Sequence, residues 1–264
     1  FPYTTLFRSE ADGGGLYVNQ GKISLADAKI TAQGYGIALR GESETDSVTI
    51  TKSLTITSAR TTGIYITGGS LTLAEGSEAQ IVSDIDVGVS FCKTENNASV
   101  SYDGVFVEGG SLYANGTFNV KHKGIFSTAP TNIPDGSYAF LHHEIKTYAV
   151  RVTELGSDRA ANVNISKGMI QNTIGGGVFV SGGTVELGSQ GDDNGNLIVM
   201  TLGEELLPDS YSVHSSAPDW VYSLSKSGGN AIEVQGGSLT VNSGTYTAMQ
   251  GNGILVRNTE SSAV

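Results

Sequence analysis

A phrase built on glycine returns along this chain and constrains its fold more than any other feature. The clearest copies are residues 63–73, 104–112, 177–187 and 231–241, and the first reads Gly-Ile-Tyr-Ile-Thr-Gly-Gly-Ser-Leu-Thr-Leu. Looser copies begin at Gly15, Gly36, Gly88, Gly124, Ala149 and Gly253. Most copies begin 20 to 28 residues after the previous one. A period of this length indicates a repeat architecture, in which each copy packs mainly against its neighbours.

Each copy has the same internal plan. A glycine opens a short strand of alternating apolar residues, a Gly-Gly pair turns the chain, and a second alternating strand follows. Most copies continue with a third short strand. Three strands in so few residues leave no room for βαβ crossovers, and like strands at a constant interval pair in parallel, about 4.8 Å apart. The repeat predicts an all-β fold, a right-handed parallel β-helix of about ten coils of 20–28 residues.

Two internal stretches and one terminus break the rhythm. Residues 127–147, with Pro130 and Pro134, and residues 188–229 are predicted insertions between coils. Residues 1–9 lack the glycine punctuation and match the translation of a widely used sequencing-adaptor oligonucleotide, so we interpret them as artefactual. On this interpretation residues 10–264 form a single β-helix domain, a fragment of a metagenomic gene.

Charge and cysteine usage narrow the classes of partner. The chain has 15 Lys+Arg against 26 Asp+Glu, a net charge of −11, so it repels a phosphate backbone and we expect no nucleic-acid partner. Cys92 is the single cysteine, which excludes an intrachain disulfide and a cysteine-based zinc site. No stretch reaches the roughly 18 apolar residues of a membrane span, so membrane insertion is not expected either.

The phrase at residues 63–73 and the run Val48-Thr49-Ile50-Thr51-Lys52-Ser53-Leu54-Thr55-Ile56 resemble the right-handed β-helices of the pectin-lyase-like superfamily. They are most similar to the repetitive regions of bacterial surface and adhesin-like proteins. This resemblance implies a structural or adhesive region, extracellular or cell-wall attached, that binds a polysaccharide or a host glycoprotein without a cofactor. It leaves an alternative open, because polysaccharide lyases and glycoside hydrolases share the scaffold.

The best functional signal is the middle residue of each opening strand. Its aliphatic neighbours point inward, so this residue points outward, and parallel stacking aligns it from coil to coil. The position holds, in order, Tyr17, Ala38, Tyr65, Ser90, Phe106, Phe126, Arg151, Phe179, Glu233 and Leu255. Aromatic faces stack on sugar C–H surfaces or anchor protein partners. The predicted ligand-binding residues are therefore Tyr17, Tyr65, Phe106, Phe126 and Phe179.

Candidate chemistry is sparse, and we assign no catalytic residue. Asp84 and Asp86 share a strand face, and Asp192 and Asp193 lie in a glycine-rich loop that could hold calcium. The superfamily's catalytic signatures Asn-Thr-Asp, Gly-His-Gly and Arg-x-Lys are absent.

Other polar groups have weaker support as sites. His142 and Glu144 are too few to define a metal site, and no His–carboxylate pair supports Cys92 as a nucleophile. Thr49, Thr55, Thr72 and Thr240 are predicted to share no regular coil position, which argues against an ordered hydroxyl array.

Overall fold

The structure is a computed structural model. It describes residues 6–11, 13–43, 45–59, 61–86, 90–92, 99–100, 102–125, 138–140, 144–145, 147–154, 159–191, 196–203 and 229–257. These residues are all-β, without a helix, and most of their strands belong to one long parallel sheet. Within this part of the chain there is accordingly no apolar helix long enough to cross a membrane.

The parallel pairings arrange the strands in three columns. The first column is β2 (Leu16–Val18), β4 (Ile37–Arg40), β6 (Ile64–Gly68), β11 (Val105–Val107), β15 (Tyr148–Val152), the first parts of β17 (Gly176–Leu187) and β19 (Ile232–Val241), and β21 (Ile254–Val256). The second column is the first parts of β3 (Lys22–Ala32) and β5 (Ser47–Ala59), then β7 (Ser70–Leu73), the first parts of β12 (Gly110–Ile125) and β16 (Ala161–Asn172), and the second parts of β17 and β19.

The third column is β1 (Leu6–Ala11), the second parts of β3 and β5, β8 (Glu78–Asp86), the second parts of β12 and β16, β18 (Leu197–Thr201) and β20 (Thr245–Ala248). We call one pass through the three columns a coil and number the coils from β2. Residues 6–9 thus lie in β1, paired with β3, and their artefactual origin stays a prediction. The arrangement is compatible with a β-helix.

Aliphatic side chains from all three columns fill the interior. In the third coil, Ile64, Leu71 and Ile81 are at most 1% exposed, and coils 2 to 6 share this pattern, whereas the first and last coils are less completely buried. A side chain of this size contributes roughly 1.5–3 kcal/mol when fully buried. The opening glycine makes room for the third column: a Cβ on Gly104 would lie 2.9 Å from a methyl group of Val120. The alternating pattern that predicted strands therefore also specifies the core.

The structure corrects the number of coils. The described residues contain eight first-column strands, not ten, because β6 pairs directly with β11 and leaves no strand for the copy at Gly88. Gly124 opens no new coil either, since it lies inside β12 opposite Ile85 of β8. Both sequences, Gly-Val-Ser-Phe and Gly-Ile-Phe-Ser, have a glycine before apolar residues but lack the Gly-Gly corner of the clear copies.

The extra chain leaves at one corner, between the third and first columns. After coils 3 and 4 it forms β9 (Ser90–Cys92), β10 (Ser99–Val100), β13 (Tyr138–Phe140) and β14 (Glu144–Ile145). β9 pairs antiparallel with β13, and β10 pairs parallel with β14, so segments from adjacent coils are joined. β18 lies within the stretch 188–229 and belongs to the third column.

Threonine positions also differ from the expectation. Thr49 pairs with Thr72, and the same row continues through Tyr113, Asn164 and Glu186 to Thr240, so three of the four threonines share a position. Thr55 lies in the third column, opposite Lys29 and Gln80. A count of residues from the opening glycine of each copy does not reveal this row, because the corner between the first and second columns differs in length from coil to coil.

A row of buried polar residues lines the inside of the corner between the third and first columns. Ser58, Ser83, His122, Asn172 and Thr201 are aligned by the strand register and are 0% exposed. Ser58, Ser83, Asn172 and Thr201 donate to carbonyl oxygens of the corner, for example Thr201 Oγ1 to Gly229 O at 2.7 Å. His122 is different, because neither ring nitrogen makes a hydrogen bond of ordinary geometry and the ring has only weaker polar contacts with the backbone of Tyr102 and Ser83.

His122 is expected to make the fold sensitive to acid. Burial lowers its pKa to about 4, against the opposing effect of the Tyr102 and Ser83 backbone. The unfolded chain therefore binds more protons between pH 4 and about 6.5, so stability is present above that range and is lost as the pH falls through it. Relative to His122→Leu, wild type should lose about 2 kcal/mol of unfolding free energy between pH 7 and 5.

Urea unfolding of both proteins at the two pH values measures this difference. Because only the change with pH is compared, any constant packing effect of leucine cancels. Parallel losses in the two proteins would show that His122 does not titrate in the folded state as described.

Candidate functional site: an aromatic row on the first column

The outward position of the first column forms one continuous row. The strand register aligns Tyr17, Ala38, Tyr65, Phe106, Arg151, Phe179, Glu233 and Leu255, one from each coil. We call this the aromatic row. Four of the five predicted ligand-binding residues, Tyr17, Tyr65, Phe106 and Phe179, lie in it. Phe126, the fifth, lies outside the described residues.

Exposure changes along the aromatic row. Tyr17 is 59% exposed, and Tyr65 and Phe106 are partly exposed. Phe179 and Glu233, further along the row, are only 7% and 8% exposed. The row is therefore not the uniformly exposed strip that alternation alone indicates. The accessible aromatic rings of the row lie on coils 1, 3 and 4.

Arg40 lies beside the gap that Ala38 leaves in the row. Its guanidinium carbon is 5.7 Å from the ring centre of Tyr17 and 5.7 Å from that of Tyr65. Tyr65 also stacks on Tyr35, with ring centres 5.2 Å apart, and contacts Phe106 at 5.4 Å. Aromatic pairs and cation–π contacts of this kind each contribute about 0.5–1.5 kcal/mol. They hold the exposed rings in place before any partner binds.

Arg151 organises the buried half of the row. Its guanidinium carbon lies 4.9 Å from the ring centre of Tyr148, 5.3 Å from that of Phe179 and 5.9 Å from that of Phe106. Its Nε donates to Asp103 Oδ2 at 2.6 Å. Asp103 Oδ1 accepts from the backbone N–H of Tyr148 at 2.7 Å. Burial raises the pKa of Asp103 to about 6, against the lowering effect of Arg151.

Two tyrosine hydroxyls bond to carboxylates, one beside the row (Glu108) and one within it (Glu233). Tyr65 donates to Glu108 at 2.7 Å, and burial together with this bond raises the pKa of Tyr65. Tyr148 donates to Glu233 at 3.4 Å, and burial and the Glu233 charge raise its pKa to about 12. Both hydroxyls therefore keep their protons near neutral pH. Their rings are fixed at the polar end as well as by stacking.

Sequence reasoning missed four residues of this site: Tyr35, Arg40, Asp103 and Tyr148. One signal was present, because Tyr35 and Tyr148 each come directly before a residue that opens a copy, Gly36 and Ala149. Arg40 ends its strand, and Asp103 lies in a corner, so neither shares the repeat position that was compared.

The other sequence candidates are not brought together. Asp84 Oδ1 lies 3.4 Å from Lys123 Nζ of the next coil, so Asp84 forms an ion pair there. No side-chain position is described for Asp86. Asp192, Asp193 and His142 lie outside the described residues. Glu144 and Cys92 lie in β14 and β9. In the described ranges, no three His, Cys, Asp or Glu side chains are grouped to hold a metal ion.

The accessible part of the row presents aromatic rings and the Tyr17 hydroxyl, and the Arg40 guanidinium lies beside it. Such a surface can contact apolar faces of a partner and donate hydrogen bonds at their edges. In comparisons with known proteins, no protein-family model, no curated protein and no solved structure matches the chain.

Proposed function

We propose that this chain is a right-handed parallel β-helix that acts as an adhesive surface, with the exposed half of the aromatic row as its contact for glycans or glycoproteins. The observation that carries the proposal is the cluster of Tyr17, Arg40, Tyr65 and Phe106, one from each of coils 1 to 4, in which Arg40 bridges the two tyrosine rings. An exposed apolar cluster held rigidly on a solenoid is typical of an interaction site.

The chemistry of this cluster fits sugars. Aromatic rings offer flat apolar faces to the C–H surfaces of a pyranose, while the exposed Tyr17 hydroxyl and the Arg40 guanidinium can bond to its hydroxyl groups. Stacking of Tyr35 on Tyr65 and the bond from Tyr65 to Glu108 reduce the side-chain entropy that binding would otherwise cost. The paired segments β9–β13 and β10–β14 leave the solenoid at the corner that precedes the first column, where loops can add contacts.

The handedness and cellular context belong to the same proposal. Three columns visited in constant order, with coils above 20 residues, favour the right-handed form that the superfamily resemblance implies. On the basis of that resemblance, we propose that the protein acts outside the bacterial cell or attached to its wall. The proposed surface needs no cofactor, and calcium at Asp192 and Asp193 remains a separate hypothesis.

The alternative function is cleavage of a polysaccharide by a lyase or glycoside hydrolase. Such chemistry needs carboxyl groups that flank a bond in an open cleft. Along the row, Asp103 is 1% exposed and paired with Arg151, Glu108 accepts from Tyr65, and Glu233 accepts from Asn230 and Gln235. In the described residues these engagements favour binding over cleavage. Release of reducing ends or unsaturated products from pectins would instead support the enzyme.

The double substitution Tyr17→Ala with Phe106→Ala tests the adhesive proposal. The two substitutions remove exposed rings from opposite ends of the accessible row. The affinity of this double variant for the glycans that retain wild type should fall by at least about tenfold. Retention of wild type on an array of glycans and host glycoproteins identifies the ligand, and titration of that ligand measures the change.

Met169→Ala is the matched control, because Met169 is a 41% exposed apolar residue on the third column, away from the row. It should bind like wild type. The adhesive proposal fails if wild type is not retained by any member of the array, or if the double variant binds as tightly as Met169→Ala.

A further inference from the structure

A groove lies at a different place, along the corner between the first and second columns. It has a volume of about 610 Å³ and runs over coils 2 to 5. This volume lies within the roughly 300–1,000 Å³ of typical ligand sites. No sequence motif indicated a function for this corner, and none of the aromatic row residues lines it.

The floor of the groove is backbone. Gly68, Gly69 and Gly110 line it, and none of them carries a side chain that could fill the space. The close stacking of the coils keeps these positions free of side chains, since a Cβ on Gly110 would lie 2.5 Å from Gly69 O. The groove is therefore a fixed consequence of the Gly-Gly corners and needs no rearrangement to open.

One wall is a row of hydrogen-bonding side chains. Ser70, Ser111 and Asn162 are aligned by the register of the second column, about 4.8 Å apart, and Tyr113 beside them is 39% exposed. Hydroxyl and amide groups both donate and accept. They match a ligand whose own groups are hydroxyls rather than charges.

Arg159 lies across the groove. A Cβ on Gly109 would be 3.3 Å from the Arg159 Cβ, and one on Gly68 would be 3.3 Å from its Nη1, so the side chain spans two neighbouring coils. Nη1 donates to Thr67 O at 3.5 Å, a long bond at an exposed position. Glu42 is the carboxylate of the same lining. One cation and one anion leave the lining without net charge.

We propose that this groove binds an extended, neutral polysaccharide chain that lies along the axis of the stacked coils. The hydroxyl wall and Arg159 bond to sugar hydroxyls, and the glycine floor admits the sugar rings. A net charge of −11 on the whole chain works against a polyanion, and the neutral lining does not compensate for it. The inference rests on the proposed glycan-binding function but uses none of its residues.

Affinity electrophoresis of the whole chain through gels with xyloglucan, galactomannan, laminarin or polygalacturonate tests the groove. Wild type should be retarded by at least one neutral polymer. Ser111→Trp, which fills the groove, and Arg159→Ala should each weaken that retardation at least tenfold. Ser238→Trp is the matched control, because Ser238 occupies the same row of the second column on coil 7, beyond the groove.

Circular dichroism of each variant verifies that it folds. The proposal is overturned if polygalacturonate alone retards the protein, if no neutral polymer does, or if Ser111→Trp migrates like Ser238→Trp. Loss of binding in Tyr17→Ala/Phe106→Ala but not in Ser111→Trp overturns the groove and leaves the aromatic row standing. The opposite pattern overturns the row as the adhesive contact and supports the groove.

Discussion

Replacing Gly110 with alanine is expected to lower the free energy of unfolding by about 3 kcal/mol, a large part of the ~5–15 kcal/mol typical of a folded domain. Gly110 has a φ of +74°, which an alanine adopts at a cost of about 1–2 kcal/mol. The new Cβ would also lie 2.5 Å from Gly69 O and 2.8 Å from the carbonyl carbon of Gly68. These are backbone atoms in the preceding coil, so relief requires that two stacked coils move apart.

Gly76→Ala separates the two causes. Gly76 has nearly the same φ, +77°, but nothing lies within 4 Å of its would-be Cβ. Its substitution should therefore cost only the backbone strain, about 1–2 kcal/mol. Urea unfolding monitored by circular dichroism measures both variants. Equal losses in Gly110→Ala and Gly76→Ala would show that the coils do not stack at the Gly-Gly corner as described.

The Gly-Gly pairs are also what made the fold predictable. The second glycines of the pairs, Gly69, Gly110, Gly183 and Gly237, all have φ between +71° and +74°. One turn conformation therefore recurs, and the repeated Gly-Gly pair marks it in the sequence. Copies without the pair were less informative. Gly88 and Gly124 precede apolar residues as Gly63 does, but alternation over three residues is compatible with any short strand, including one outside the first column.

The aromatic row was predictable for a related reason. Alternation fixes which side of a strand Tyr65 and Phe106 occupy, and parallel stacking then places them next to each other. Burial of Phe179 was not predictable, because it depends on Tyr148, whose ring stacks on it at 4.6 Å from the preceding coil. Arg40 and Asp103 act across coils through their side chains, and a strand pattern carries no information on such contacts.

Removing the guanidinium of Arg151 should have an effect at least as large as the glycine substitution. In Arg151→Met the side chain keeps apolar contact with Tyr148 and Phe179, but Asp103, 1% exposed, loses its charge partner. An unpaired buried carboxylate typically costs about 3–5 kcal/mol. We expect this loss in the free energy of unfolding at pH 8, measured by urea titration.

The loss should depend on pH in a defined direction. Burial already raises the pKa of Asp103 to about 6 with Arg151 present, and without Arg151 that pKa rises further. A carboxyl whose folded pKa lies above its unfolded value contributes stability at low pH that is lost as the pH rises through the folded pKa. Arg151→Met should therefore be closer to wild type at pH 5 than at pH 8.

Asp103→Asn in the Arg151→Met background supplies the control. Asparagine keeps an oxygen that can accept the Tyr148 N–H, as Asp103 Oδ1 does at 2.7 Å, but it carries no charge. The double variant should recover most of the stability at pH 8 and lose the difference between the two pH values. If Arg151→Met is equally unstable at pH 5 and pH 8, or if Asp103→Asn restores nothing, then the pair does not stabilise the row through its charges. In that case stacking of the planar guanidinium on the rings would account for the role of Arg151, because Arg151→Met removes that plane together with the charge.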